Sequence, residues 1–520
     1  MKNILFLLAL IQFSYTQAQE PWVYENSYFE GKQILEAYDG GTLILANDES
    51  FTGPSKLFKL DKTGDVLWVF TFEENMTAMP LSMSEDSNGN IFIAGQTNRF
   101  DSYYWSGFLV KLNPCGELLW FKNLQRTNLF TSVFQLLIDQ NDNIILVNYI
   151  TGSNMGELEE GTTLKKFNSA GEELWSSILL PDGNSTPDCL IQCSDGGYIV
   201  GSNYYAPPYY DQEFNVHYLR AALVKTDSLG NVEWRDIYRW EEDTPDTLYL
   251  SSGGQVVEVE KGEYYAIAKN RVIPNYRPVL YKLNNNGETI WSKDVSDENT
   301  AYDICKLNID TNKNLLLGIN VAYNPFDYYD QNLEIIKFDT LGNELAKWVD
   351  YHEVLLLRDF RWNTDSSSLY VAPGSKKSSS GVWSLYAYKF NPYTMEIDTF
   401  LTEDDTEYDY LCPDGVVDLN FNFPELSVED VSIEPTPQLR IAPNPAKNYT
   451  YLYFDIENFN RTAKLEIHNL QGQLMSTYPI QGAVGRVKED LSSYPYGIYL
   501  VSLVVDDKLV ESQRLNIITK

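Results

Sequence analysis

Histidine is nearly missing from this 520-residue chain, with only His217, His352 and His468 present. The signatures that depend on it are missing too. There is no His-Glu-x-x-His, no Gly-x-Ser-x-Gly and no glycine-rich phosphate loop. No catalytic residue and no metal site is therefore assigned. Basic residues are also scarce, 39 against 73 acidic, for a net charge of -34. A surface this anionic repels phosphates and anionic headgroups, so nucleic acid is not an expected partner. The five cysteines (115, 189, 193, 305, 412) are odd in number and irregularly spaced, which is not a disulfide framework. Cys189 and Cys193 on one strand would lie about 13 Å apart, too far to bridge. Most of the five are expected to be buried and unpaired. No later segment supplies the roughly 20 apolar residues of a transmembrane helix.

The first residues, Met1-Lys2-Asn3, an apolar run from Ile4 to Phe13 and a polar stretch ending Thr16-Gln17-Ala18, read as a signal peptide over residues 1–18. No cysteine follows its cleavage region, so a lipid anchor is not expected. Aromatics are plentiful at 14%, including 37 tyrosines, and tyrosine suits strands and rigid amphipathic contact surfaces.

One pattern repeats, Lys-x-[Asp/Asn]-x-x-Gly-x-x-x-Trp, anchored at Lys59, Lys111, Lys166, Lys225, Lys282, Lys337 and Lys389, with spacings of 52, 55, 59, 57, 55 and 52 residues. Each copy encodes a hairpin: the Asp or Asn side chain bonds turn amides and the Gly takes the left-handed conformation that closes it. A second turn lies upstream in each unit, as in Asp39-Gly40-Gly41, Asn88-Gly89-Asn90 and Asp195-Gly196-Gly197. Four strands per unit follow. The predicted fold is all-β: a propeller of about seven four-stranded blades over residues 20–400, then a small immunoglobulin-like β-sandwich. The repeated Trp is expected to wedge between neighbouring blades, and the Lys to be structural. The seventh unit lacks the turn Gly at Asn391–Thr394 and has Asp398 where Trp is expected. Pro21-Trp22-Val23-Tyr24-Glu25-Asn26 reads like the outer strand Trp68-Val69-Phe70, which predicts that the N-terminus closes the ring against the last blade.

The Gly-to-Trp spacing resembles the tryptophan-docking repeat of quinoprotein and outer-membrane-assembly propellers, in Lys59-Leu-Asp-Lys-Thr-Gly-Asp-Val-Leu-Trp68 for example. That resemblance implies blade packing alone. The adjacent cysteine pair and acidic calcium site of quinoproteins have no counterpart here, and the sialidase Asp-box is more tightly spaced.

In such blades the two hairpin turns share one face, and the loops joining second to third strand share the other. The second face carries long aromatic loops: Asn98 to Gly107 with Tyr103, Tyr104 and Trp105; Tyr204 to Ala221 with Tyr204, Tyr205, Tyr209 and Tyr210; Asn270 to Pro278 with Tyr276; and Ala322 to Asn332 with Tyr328 and Tyr329. Rigidly mounted loops with aromatic tips are recognition surfaces, for carbohydrate or protein. These tyrosines are the candidate ligand-binding residues; the alternative is that they pack the loops against each other. Asp86-x-Asn88-x-Asn90, Asp139-x-Asn141-x-Asn143 and Asp310-x-Asn312-x-Asn314 alternate oxygen ligands as calcium loops do, without the usual Gly and closing Glu. No cofactor is expected; calcium is the alternative these segments leave open. Since paired carboxylates are spatial, the alternative function is a secreted polysaccharide lyase or glycosidase using channel carboxylates.

Residues 401–438 are acidic and proline-bearing and read as a linker, and from 439 to 520 the pattern is a short β-sandwich. Pro443-Asn444-Pro445, the Leu465 to Gly472 hairpin, Gly497-Ile498-Tyr499 and Lys520 carry a likeness across about residues 436–520. This part resembles the type A C-terminal sorting domain of type IX secretion. The resemblance implies export to the periplasm, recognition by the outer-membrane translocon and its C-terminal signal peptidase, and release or attachment at the cell surface; the protein is expected to be a monomer.

Overall fold

The seven Lys-anchored units become seven antiparallel sheets in the computed structural model, and the sheets follow one another in chain order. The structure describes residues 23–518 apart from 49–53, 73–77, 99–104, 125–128, 153–160, 206–218, 238–250, 296–300, 323–330, 351–354, 378–382, 398–416, 422–438, 457–461 and a few shorter breaks. Among the described residues every regular element is a strand.

Blade two shows how the repeat folds. Its strands Ala78–Glu85, Ile91–Thr97, Ser106–Leu112 and Leu118–Asn123 pair in sequence order, with Phe92 opposite Lys111 and Lys111 opposite Trp120. The last turn is closed by Gly116 N–H donating to the Asn113 carbonyl at 3.0 Å, with Gly116 at φ 79°. The same Lys-to-Trp register holds at Lys59/Trp68, Lys166/Trp175, Lys225/Trp234 and Lys282/Trp291. In blade six Ala346 takes the place opposite Lys337, and Trp348 lies two residues on.

The tryptophans pack between blades as expected, each against the turn glycine of the following blade. A Cβ built on Gly230 would lie 2.6 Å from Trp175, and one on Gly287 would lie 2.7 Å from Trp234. Only a glycine leaves room for the indole there, and the positive φ needs it as well. Blade seven has no such glycine: Trp348 packs on Phe390 at 4.9 Å, and Met395, at φ 60°, joins the same cluster.

The ring closes through the N-terminus. Val23–Ser27 pairs antiparallel with Trp383–Asn391, placing Val23 opposite Tyr388 as Val69 is placed opposite Phe58. Pro21 and Trp22 of the closing segment lie outside the described residues. One hydrophobic cluster runs through blades six, seven and one, from Leu316 through Tyr388 to Ile34. The sandwich has its own core around Leu465, Val501 and Leu515, between sheets of three and four strands.

Two features depart from expectation. The 401–438 segment contains a strand, Val417–Phe421, added in parallel to the outer strand Val66–Phe72 of blade one. The acidic composition around it hid the alternating Val417, Leu419 and Phe421. Cys115 is disulfide-bonded, whereas Cys189 and Cys193 are free and buried.

Two outcomes test this architecture. Deleting residues 20–27 exposes the edge of blade seven and should lower Tm by at least about 5 °C in a thermal melt; an unchanged Tm refutes N-terminal closure. Gly230→Ala meets both the φ penalty and the Trp175 ring. Gly196→Ala has the same positive φ but its nearest neighbour is 3.7 Å away. In urea titrations the first should cost about 3 kcal/mol and the second about 1 kcal/mol.

Candidate functional site

The strand pairings divide the ring into two unlike faces. On one, tight turns lock the blades. The recurring Lys reaches from the third strand to a carboxylate of the first turn: Lys111–Asp86 at 3.3 Å, Lys166–Asp139 at 2.7 Å, Lys225–Asp195 at 2.8 Å, Lys282–Glu263 at 3.0 Å and Lys337–Asp310 at 2.7 Å. The same carboxylates bind their own turns. Asp139 Oδ1 accepts from the Asn141 N–H at 2.8 Å and from the Asn143 N–H at 2.9 Å, and Asp310 and Asp86 do likewise. Burial acts to raise the pKa of Asp139 and Asp310, but the lysine and asparagine hydrogen bonds outweigh it and hold both carboxyls below their usual range. The positions that resembled calcium loops thus each hold a lysine ammonium against the Asp. No cluster of three or more His, Cys, Asp or Glu suited to a metal occurs among the described residues.

Neighbouring turns on this face are also latched. Ser87 donates from its N–H to Asp142 at 2.9 Å, Ser194 from its hydroxyl to Glu258 at 3.1 Å, and the Tyr38 N–H to Glu85 at 2.7 Å. Glu85 is desolvated strongly enough that, despite Lys59 nearby, its carboxyl is raised to about 7.

The opposite face receives the connections between second and third strands, as the pairings Thr97/Ser106, Tyr205/Leu219, Val272/Asn275 and Ala322/Gln331 require. Of the candidate ligand residues, Tyr103, Tyr104, Tyr209, Tyr210, Tyr328 and Tyr329 lie outside the described residues. Trp105 is half-buried and its carbonyl accepts from the Thr131 N–H of blade three at 2.9 Å. Tyr205 ends its strand opposite Leu219, and Tyr276 sits opposite Arg271. Tyr204 is a correction: it is 7% exposed and packs in the cluster between blades three and four, because its strand runs to Tyr205, two residues further than the loop reading allowed.

A ring of bulges lines the channel, which the sequence reading missed. Every inner strand shifts register, at Gly31/Gln33, Pro80/Ser82, Val133/Gln135, Pro187/Cys189, Ser252/Gln255, Ile304/Lys306 and Leu357/Asp359, with a second shift at Glu258/Glu260 in blade five and at Leu356/Leu357 in blade seven. At three of these bulges the following residue accepts a backbone N–H of the next blade. Ser82 Oγ accepts the Leu136 N–H at 3.0 Å, Gln33 accepts the Met83 N–H, and Asp359 accepts the Ile34 N–H at 3.4 Å across the ring closure. The available signal was a polar residue recurring amid apolar inner strands. Around the closure, Asp359 also faces Lys306 at 3.3 Å and Arg361 at 2.9 Å; burial opposes its charge, yet these cations keep its pKa below the ordinary value. Glu30 pairs with Lys32 at 2.9 Å. Asp359 is thus committed to cations and poorly suited to donate a proton.

In the sandwich, Asn444 clamps the last strand: its Nδ2 donates to the Arg514 carbonyl at 2.6 Å, and its Oδ1 accepts the Asn516 N–H at 2.8 Å. Tyr499 is buried, with its hydroxyl on the Pro495 carbonyl at 2.8 Å, and Gly497 sits at φ 150°. Pro443, Pro445, Gly472 and Lys520 lie outside the described residues.

Residues 440–518 match the family model of the secretion system C-terminal sorting domain. This tail marks the chain for the type IX export route, with secretion or attachment at the cell surface as its destination. No curated protein matches the chain. Solved structures similar to it include a polysaccharide lyase, an ulvan lyase bound to -[GlcA(1-4)Rha3S]-, at 12% identity and TM-score 0.48, covering 72% of this chain and 96% of that one. A protein from Lactobacillus plantarum aligns at 9% identity and TM-score 0.42, over 73% and 96% of the two chains. A protein of unknown function from Dyadobacter fermentans aligns at 10% and 0.41, over 72% and 97%. Among the described residues no helix is long and apolar enough to cross a membrane.

The raised Glu85 carboxyl sets a pH dependence. Unfolded, it ionises near its ordinary value; folded, it resists ionisation up to about 7, so the native state loses stability as pH climbs from 4.5 to 7 and then levels off. Glu85→Gln should leave Tm unchanged at pH 4.5 and raise stability at pH 8 by on the order of 2 kcal/mol, read by chemical denaturation at both values.

Proposed function

We propose that the propeller is a recognition platform, exported on its sorting tail, that binds carbohydrate or protein through the aromatic loops between second and third strands. The observation that supports this most is the inequality of the two faces. One is occupied by the Lys–carboxylate locks and inter-blade latches. The other receives the connections at 99–104, 206–218 and 323–330, where Tyr103, Tyr104, Tyr209, Tyr210, Tyr328 and Tyr329 fall. A rigid ring carrying variable aromatic loops on one side pre-organises the contact surface and lowers its ordering cost on binding. With a net charge of -34, electrostatic attraction to an acidic ligand would have to be local, so neutral or basic ligands are the better fit.

A glycan array probed with the full chain, followed by reducing-end assays on each retained glycan, tests this reading. Retention without cleavage supports a binding protein, while cleavage makes it a polysaccharide-active enzyme. Changing Tyr209, Tyr210, Tyr328 and Tyr329 together to Ala should weaken retention at least about 100-fold, since each stacked aromatic contributes about 1 kcal/mol. Unaltered retention refutes the loop reading.

A further inference from the structure

Blade one has a fifth strand because Val417–Phe421 lies in parallel register on its outer edge, from Val417 opposite Trp68 to Phe421 opposite Phe72. Leu419 of this strap packs onto the cluster shared by blades one and two. It also reaches the last turn of blade two, where a Cβ on Gly116 would lie 2.7 Å from Leu419 Cδ1. Cys115 is the neighbour of that glycine and is disulfide-bonded. Since Cys189 and Cys193 are free, its partner is Cys305 or Cys412.

Distance decides between them. Cys305 lies on the innermost strand of blade six, Ala301–Ile309, at the bulge between Ile304 and Lys306. Cys115 lies in the turn before the outermost strand of blade two. Strands in a sheet are spaced about 4.8 Å apart, so the inner and outer strands of one blade are already separated by roughly 14 Å. Blades two and six are not neighbours in the ring order. A disulfide needs Cα atoms within about 7 Å. Cys412, by contrast, precedes Val417 by five residues, a reach of up to about 17 Å from a strap already beside Gly116.

We propose that Cys115 and Cys412 form a disulfide that fastens the strap, and with it the lead-in to the sorting domain, to the side of the ring. The two thiols lose two protons and two electrons to a thiol–disulfide oxidant met on export, whose own disulfide is reduced to a dithiol. The cross-link closes a loop of nearly 300 residues, the length at which cross-links most restrict the unfolded chain. It makes blade one, through Phe421, part of the locked propeller, so a cut that frees the sorting domain without loosening the ring falls between Phe421 and Leu439.

The test uses the full chain exported to an oxidising compartment, trapped with an alkylating agent without reduction, digested and mapped by mass spectrometry. A peptide pair joining Cys115 to Cys412 that separates on reduction is expected. A pair joining Cys115 to Cys305, or an alkylated Cys115, overturns the proposal. In a denaturing alkylation assay Cys412→Ser should raise labelling of Cys115 from background to near-stoichiometric, and Cys305→Ser should leave it at background; the reverse pattern refutes the assignment.

Discussion

A lysine ammonium buried against a carboxylate, repeated around the ring, is the constraint on which the rest of the propeller depends. Each pair spans the two turns of a blade, joining the third strand to the turn between the first two, as Lys337 does to Asp310 at 2.7 Å. A desolvated charge is tolerated only with a partner held in place, so neither turn can change length without stranding the other's charge. Asn side chains then saturate the remaining carboxylate lone pairs, as Asn314 does for Asp310. Regularity on this face follows, and sequence variation is displaced to the other, where the connections are long.

The indole of each outer strand couples one locked blade to the next. Because it rests on a turn glycine, the geometry of the turn and the spacing of the blades are set by the same residue. The bulge ring does the corresponding task at the inner strands, where side chains bond the backbone of an adjacent blade: Gln33, Ser82 and Asp359 accept an N–H of the next blade, while Gln135 donates to the Asp188 carbonyl. Blades are thus joined at the rim by packing and at the hub by hydrogen bonds. Where the indole pattern lapses, in blades six and seven, Trp348, Tyr388 and Phe390 substitute aromatic contact for the glycine fit.

Much of this was legible in the sequence because it repeats. Seven copies of one Lys-anchored turn, five of them with the Trp in register, displayed the strands, and the likeness of Val23 to Val69 disclosed the closing strand. The sorting tail was legible through Asn444 and Tyr499, whose side chains each bond a backbone carbonyl. What stayed hidden depends on contacts between distant segments. The bulges leave only a polar residue among apolar neighbours as a trace, Leu419 belongs to a short apolar alternation inside an otherwise acidic stretch, and a disulfide at Cys115 cannot be deduced from spacing. Tyr204 was misplaced for the same reason: whether a tyrosine at a strand end turns inward is decided by the neighbouring blade. The candidate ligand loops were legible only as composition, since nothing in their residues fixes what they touch.

The closing strand also sets the order of events in folding. Val23–Ser27 leaves the ribosome before its partner Ser384 to Tyr388, which is made more than 350 residues later. Until then the first strand has nothing to pair with, and bringing the two ends together carries the entropy of a very long loop. Blades can form one by one as nascent hairpins, but the ring is sealed only when the last of them has arrived. A chain that has its first strand but not yet residues 384–388 therefore remains an open arc, and becomes a closed wheel only when they arrive.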